Sequence, residues 1–190
     1  PEGVALGVLD AWMWARGPKG VPQVKESTRW VEGYEIVADL AETVSDTRLV
    51  YGADREGDLR ALMDAAARRG TPADGLIRSQ HNRNTLAGEQ LWDRLARSKS
   101  LGEVEFTLSA ASDRPARLVR QTLYRESVTL PARKGAPGVT VTAILAREER
   151  PPAGQKAVEW RWLTNRIAES LDAVVELIEW YRRRWLVEIF

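Results

Sequence analysis

The chain of 190 residues has no cysteine, a single histidine, and only two phenylalanines and two methionines. Without cysteine there can be neither a disulfide framework nor a thiolate metal site. With His81 alone, a multi-histidine metal centre is excluded as well. No run of about 18 or more apolar residues occurs, so nothing reads as a membrane-spanning helix. The opening residues lack the charged segment, apolar stretch and cleavage site of a secretory leader, and a cytoplasmic, reducing setting is expected. Lysine is scarce beside arginine, yet 28 basic residues face 27 acidic ones for a net charge of +1, so there is no overall basic signature. An arginine excess supplies planar, bidentate donors suited to phosphate, or it reflects a GC-rich genome; composition leaves both open. An initiator methionine is also missing. Residues 4–14 are apolar nearly throughout, as an interior strand would be, and a fragment of a longer chain is expected.

What is present is concentrated near the end. From Ser170, a plausible N-cap, the apolar residues Leu171, Val174, Val175, Ile178, Trp185 and Ile189 recur at spacings of three and four, the period of a helix with one face on a core. Tyr181, Arg184 and Glu188 fall along one strip beside that stripe, roughly 10 Å long at 1.5 Å per residue. Glu176, Glu179 and Arg183 lie on the solvated flank. By itself the strip is either the edge of a packed face with an i,i+4 ion pair or a phenol, a guanidinium and a carboxylate gathered for chemistry.

A second stretch bears on that choice. Residues 48–53 (Arg-Leu-Val-Tyr-Gly-Ala) read as a short buried strand running into Asp54-Arg-Glu-Gly-Asp58, with a helix over about 59–69. Asp54 is thereby placed at the carboxyl end of a strand, where open α/β sheets build their sites. Together the two stretches resemble the DDE transposases of bacterial insertion sequences, in the Tn-five-like, insertion-sequence-four subclass whose signature is Tyr, two residues, Arg, three residues, Glu, six residues, Lys. Asp54 heads the run of the second catalytic aspartate, and Tyr181, Arg184 and Glu188 match the signature. Its Lys would fall beyond Phe190.

The resemblance implies an α/β fold: a ribonuclease-H-like core, here lacking its first strands, with an antiparallel β insertion between the second and third catalytic residues. Residues 1–80 would be the N-terminal part of that core, 81–155 a helix and the insertion, and 156–190 the return strand and catalytic helix. The pattern along the chain agrees with this division. A helix is expected from Ser27 and Thr28 to about Val44, a strand over 75–80, and a helix over 86–97. Alternating or β-branched runs over 104–108, 117–124, 127–130 and 139–145 predict the antiparallel part, and 158–164 a further strand.

Asp54 and Glu188 would then be catalytic and ligate Mg²⁺ or Mn²⁺ in a two-metal site, since hard cations take oxygen ligands. Tyr181 and Arg184 would hold the phosphate backbone near the scissile bond. Arg78 falls where the family has a DNA-contacting arginine, or is an edge-strand arginine. Trp160, 21 residues before Tyr181, stands where the family stacks a tryptophan on a flipped base, or it packs beside Trp162 on one face of a strand. Arg55 and Asp58 are expected to orient or cap. A full site needs a first Asp on a strand preceding Pro1, and Asp10 is not assigned to it; the 190 residues alone are therefore expected not to cleave DNA. The implied partners are DNA, as transposon ends and target, and no membrane; dimerisation of a full-length protein is left open. Two other readings stay open. The chain could be a non-catalytic remnant that only binds DNA or a partner, or an unrelated α/β domain whose Asp54 and Glu188 lie far apart.

Overall fold

A computed structural model describes residues 4, 6–13, 25–44, 46–111 and 115–184. They form a mixed α/β structure around a six-stranded, mostly antiparallel sheet. In chain order the elements are α1 (Glu26–Thr43), β1 (Val50–Ala53), a 3-10 turn (Arg55–Gly57), α2 (Arg60–Arg68), β2 (Asp74–Arg78), α3 (Leu91–Leu95), β3 (Ser100–Leu108), β4 (Arg117–Leu130), β5 (Val139–Arg147), β6 (Glu159–Thr164) and α4 (Leu171–Arg183). The strands lie in the order β1-β2-β6-β5-β4-β3, with β1 and β2 parallel and every other pair antiparallel.

The sheet carries a core on each face. On one, Tyr34 and Ala38 of α1, Leu62, Met63 and Ala66 of α2, and Leu91, Trp92 and Leu95 of α3 cover Ile77, Val128, Leu130, Ala143, Leu145 and Leu163. On the other, Val174, Leu177, Ile178 and Tyr181 of α4 cover Leu76, Leu123, Ile144, Ala146 and Trp162. β5 lies between both layers, so its run Thr142-Ala-Ile-Leu-Ala146 is buried on alternate sides without a polar break, as a doubly covered strand requires.

Three expected elements differ. The described residues of the expected interior strand over 4–14, residues 4 and 6–13, form none. They carry no ladder, and Leu6 and Met13 are almost fully exposed. Apolarity does not make a strand without a neighbour to take its backbone hydrogen bonds; here Trp12 lies under Arg29, with Cζ 4.1 Å from the ring centroid. The helix expected over 86–97 shrinks to α3. Gly88 takes a positive φ of 85° and Asn84 bridges Gln90, so a turn occupies the first half of the span. The runs 117–124 and 127–130 are one strand, because Arg125 and Glu126, which read as a break, continue the pairing opposite Ile144 and Ala143. β1 is also less buried than its sequence suggests, since it is an edge strand.

Gly33 fixes how α1 meets β1. A Cβ there would stand 2.9 Å from the Tyr51 hydroxyl, which donates to the Trp30 carbonyl at 3.0 Å. Helix propensity alone makes Ala better than Gly by about 1 kcal/mol at an interior position. Gly33→Ala is nevertheless expected to destabilise the fold by about 1–3 kcal/mol, the usual cost of overpacking. A urea titration showing stabilisation would refute that packing argument. Burial pushes the Tyr51 phenol up to about 12 from 10.0. The unfolded chain therefore loses this proton first, and stability falls as pH rises from about 10 to 12. Tyr51→Phe is expected to flatten that part of the alkaline melting profile; an unchanged slope would assign it to other groups.

Candidate functional site

β1 and β2 run parallel in a register that pairs Ala53 with Ile77, so the next residues, Asp54 and Arg78, leave the same end of the sheet. Alternation along each strand puts Val50, Gly52 and Asp54, with Leu76 and Arg78, on the α4 face. Asp54 leaves β1 extended, and its Oδ1 accepts from the Glu56 N–H at 3.0 Å, which starts the 3-10 turn. Gly57 is dictated by packing: a Cβ there would come within 2.6 Å of the Ala53 Cβ and 3.2 Å of the Trp30 ring.

α4 arrives from the opposite end of the sequence. Ser170 caps it as expected, accepting from the Ala173 N–H at 3.1 Å. Val174, Leu177, Ile178 and Tyr181 are buried along its inner face, and Glu176 and Arg182 are exposed on the other. Tyr181 meets Trp162 edge-on, with centroids 5.8 Å apart, and Arg184 lies against the Tyr181 ring, its Cζ 5.5 Å from the centroid. The Arg184 Nη2 reaches to 4.0 Å from the Asp54 Oδ2. Below it, Gly52 leaves room: a Cβ there would touch the Arg184 Cδ at 3.9 Å.

Arg78 completes the group, lying beside both Tyr181 and Asp54. Its guanidinium is pulled below its usual range by burial and by the like charge of Arg55, partly offset by the Tyr181 phenol and the Asp54 carboxylate. Among the described residues the buried Tyr181 hydroxyl has no hydrogen-bond acceptor. Arg78 beside it can only donate. The site thus gathers several donors around one carboxylate. It opens onto a cleft of about 850 Å³ between β1 and the end of α4, lined by Arg48, Val50, Gly52, Tyr181, Arg183 and Arg184 and walled by Val4 and Leu6.

Of the residues singled out in the sequence, Asp54, Arg78, Tyr181 and Arg184 come together although 130 positions separate the first from the last. Glu188 lies outside the described residues, as do Trp185 and Phe190. Trp160 lies one ring removed from Tyr181. It stacks on Phe106 of β3 at 5.0 Å with planes 23° apart, and its edge meets Trp162 at 5.8 Å. An aromatic series therefore runs Phe106–Trp160–Trp162–Tyr181 from the far edge strand to the site. A cavity of about 190 Å³ lies beside Phe106, Trp160, Ile178 and Arg182.

One contributor escaped the sequence reading. Trp162, 2 % exposed, supports Tyr181; its spacing of two from Trp160 put it on the right face but did not say which helix it met. Asp58, expected to orient or cap, does cap the 3-10 turn through its N–H to the Arg55 carbonyl, and at 1 % exposed it is also an internal anchor. Its position four residues after Asp54 gave no sign of that burial. Among the described residues no helix is long and apolar enough to cross a membrane. No protein-family model matches the chain.

Proposed function

We propose that the chain is part of the catalytic core of a DDE transposase of the kind its motifs resemble, acting in metal-dependent phosphodiester hydrolysis and strand transfer at transposon ends. The observation that carries this reading is the gathering of Asp54, Arg78, Tyr181 and Arg184, from a strand pair and a helix far apart in sequence, into one cluster whose Tyr181 and Arg184 line the adjoining cleft. A coincidental pair of motifs gives no reason for a β-strand end and a helix 130 residues later to meet with the matched side chains facing each other.

On this reading the parallel β1–α2–β2 unit and α4 belong to a ribonuclease-H-like core, and β3, β4 and β5 are the antiparallel insertion. The chemistry of the donors supports a phosphodiester as ligand. Arg78 and Arg184 offer charge-assisted, planar hydrogen bonds, and the Tyr181 hydroxyl holds a proton for which the phosphate oxygen is an acceptor. Arg55 adds positive charge at the rim, and Trp160 is proposed to contact a base, which requires its ring to part from Phe106. Asp54 and Glu188 are the proposed ligands of Mg²⁺ or Mn²⁺. Among the described residues no group of three acidic or histidine side chains gathers, and Asp54 alone does not make a divalent site. The described residues bind and orient the phosphate.

The test is fluorescence anisotropy of the purified chain against a labelled duplex over a range of salt. Salt-dependent binding that weakens when Arg78 or Arg184 is removed is expected. Arg120→Ala, on the exposed face of β4 beside Glu105, is expected to leave it unchanged. Absence of binding, or equal loss from all three substitutions, would sink the reading.

A further inference from the structure

Asp58 ends the 3-10 turn that follows Asp54, and its side chain is wholly buried. One carboxylate oxygen, Oδ2, accepts three hydrogen bonds: from the Ser79 hydroxyl at 2.8 Å, the Gln80 N–H at 2.7 Å and the His81 N–H at 2.9 Å. The other, Oδ1, faces the Arg83 Nη1 at 2.6 Å, while the Arg83 Nη2 donates to the Asp58 carbonyl at 2.7 Å. The Gln80 amide returns a bond to the Arg55 carbonyl at 2.6 Å. A single acid therefore joins the two segments that leave the same end of the parallel pair, the turn after Asp54 and the loop after Arg78. That loop is held in turn on α3, where the Trp92 Nε1–H donates to the His81 carbonyl at 3.0 Å.

The placement matters because Arg78 is the residue immediately before the clamped segment. Burial and the like charge of Arg55 disfavour the charged Arg78 guanidinium where it stands, while Tyr181 and Asp54 attract it. Two peptide N–H bonds to one oxygen fix the direction of the chain at Gln80 and His81, and the Ser79 hydroxyl bond fixes the residue next to Arg78. An apolar residue at position 58 could close the same gap, but it would strand the buried Ser79 hydroxyl, two part-buried N–H groups and the Arg83 guanidinium, each costly to leave unpaired.

We propose that Asp58 is a positioning residue of the site: by clamping residues 79–83 onto the turn after Asp54 it holds Arg78 beside Tyr181 and Asp54, and so sets the geometry in which a phosphodiester is bound. The DNA part of this proposal rests on the phosphodiester reading; the clamp of Arg78 does not. Two readouts separate them. In side-chain NMR of the ¹⁵N-arginine-labelled chain, the Arg78 Nε–H is expected to exchange slowly with water and to become fast-exchanging in Asp58→Asn. Ser79→Ala removes one of the three bonds and leaves the Arg83 pair, so it is expected to fold and to give an intermediate rate. Unchanged Arg78 exchange in a folded Asp58→Asn chain, or in Ser79→Ala if Asp58→Asn does not fold, overturns the clamp.

The second readout is a double-mutant cycle on duplex affinity. Asp58→Asn is expected to weaken binding about tenfold, as loss of one charge-assisted bond does. The Asp58→Asn/Arg78→Ala chain is expected to bind no worse than Arg78→Ala alone, because Asp58 acts through Arg78. Losses that multiply would overturn the positioning role. A wild-type chain that binds no duplex would refute the phosphodiester reading, and the exchange rates would still decide the clamp.

Discussion

Removing the Asp64 carboxylate by Asp64→Ala is expected to cost about 3–5 kcal/mol of folding stability, the usual consequence of breaking a buried ion pair from one side. Asp64 lies on α2, 2 % exposed. Arg60, one turn earlier, donates to its Oδ1 at 2.7 Å, and Arg133 donates to its Oδ2 at 2.9 Å. Arg60 also donates to the carbonyls of Pro131 and Pro137 at 2.9 Å each. The trio therefore fastens the turn between β4 and β5 to α2. Without the acid, the Arg60 side chain, 13 % exposed, is left as an uncompensated charge in a low-dielectric setting. Against a typical total of about 5–15 kcal/mol, such a loss shifts the urea midpoint far enough to be unmistakable. Replacing Asp64 and Arg60 together by Leu and Met is expected to recover most of it, since the penalty comes from stranding one partner. A loss below about 1 kcal/mol for Asp64→Ala would mean that backbone contacts alone hold the turn.

Arg184→Ala is expected to weaken duplex binding by about 10–100-fold, from the roughly 1.5–3 kcal/mol of a hydrogen bond to a charged group, and to reduce the salt slope by about one. Arg78→Ala is expected to match it. Both should act similarly on all duplex sequences, because a phosphate contact carries no base information. Tyr181→Phe removes the hydroxyl and keeps the ring on Trp162, so it separates a lost phosphate bond from lost packing. An Arg184→Ala chain with an unchanged salt slope would place the bound DNA elsewhere.

The arginine excess, open between phosphate binding and gene composition at the level of sequence, has a third use. Four buried acids are each held by arginine: Asp58 by Arg83, Asp64 by Arg60 and Arg133, Asp74 by Arg48 and Arg166, and Glu148 by Arg117. Asp74 is bracketed by Arg48 at 2.6 Å and Arg166 at 3.2 Å, which ties the start of β2 to the loop after β6. The fork of a guanidinium can bond a carboxylate and a carbonyl at once, as Arg60 does; an ammonium on a single flexible stem is less suited to it. Six of the 28 basic residues thus pair with buried acids, a use that composition alone does not separate from phosphate binding.

Periodicity and end signals identified α1, α2, β2, β5 and β6 to within a few residues, and the start of α4 with its cap at Ser170, because these depend on neighbours three or four positions away or on alternation. The facing of Tyr181 and Arg184 along one helix edge was legible for the same reason. Local pattern could not decide whether the apolar start at residues 4–13 had a strand to pair with, whether Arg125 and Glu126 broke β4, or where the polar acids would be buried. Each depends on partners distant in sequence: Ile144 and Ala143 for β4, Ser79 to Arg83 for Asp58. By itself the sequence determined the elements and the chemical types carried at their ends, since these follow from φ/ψ preference and hydrophobic period. Only the tertiary structure decided that the end of β1 and the end of α4 share a cleft and that Asp58 turns inward while Asp54 does not, because long-range packing and the pairing of buried charge choose among arrangements that local preferences leave equal.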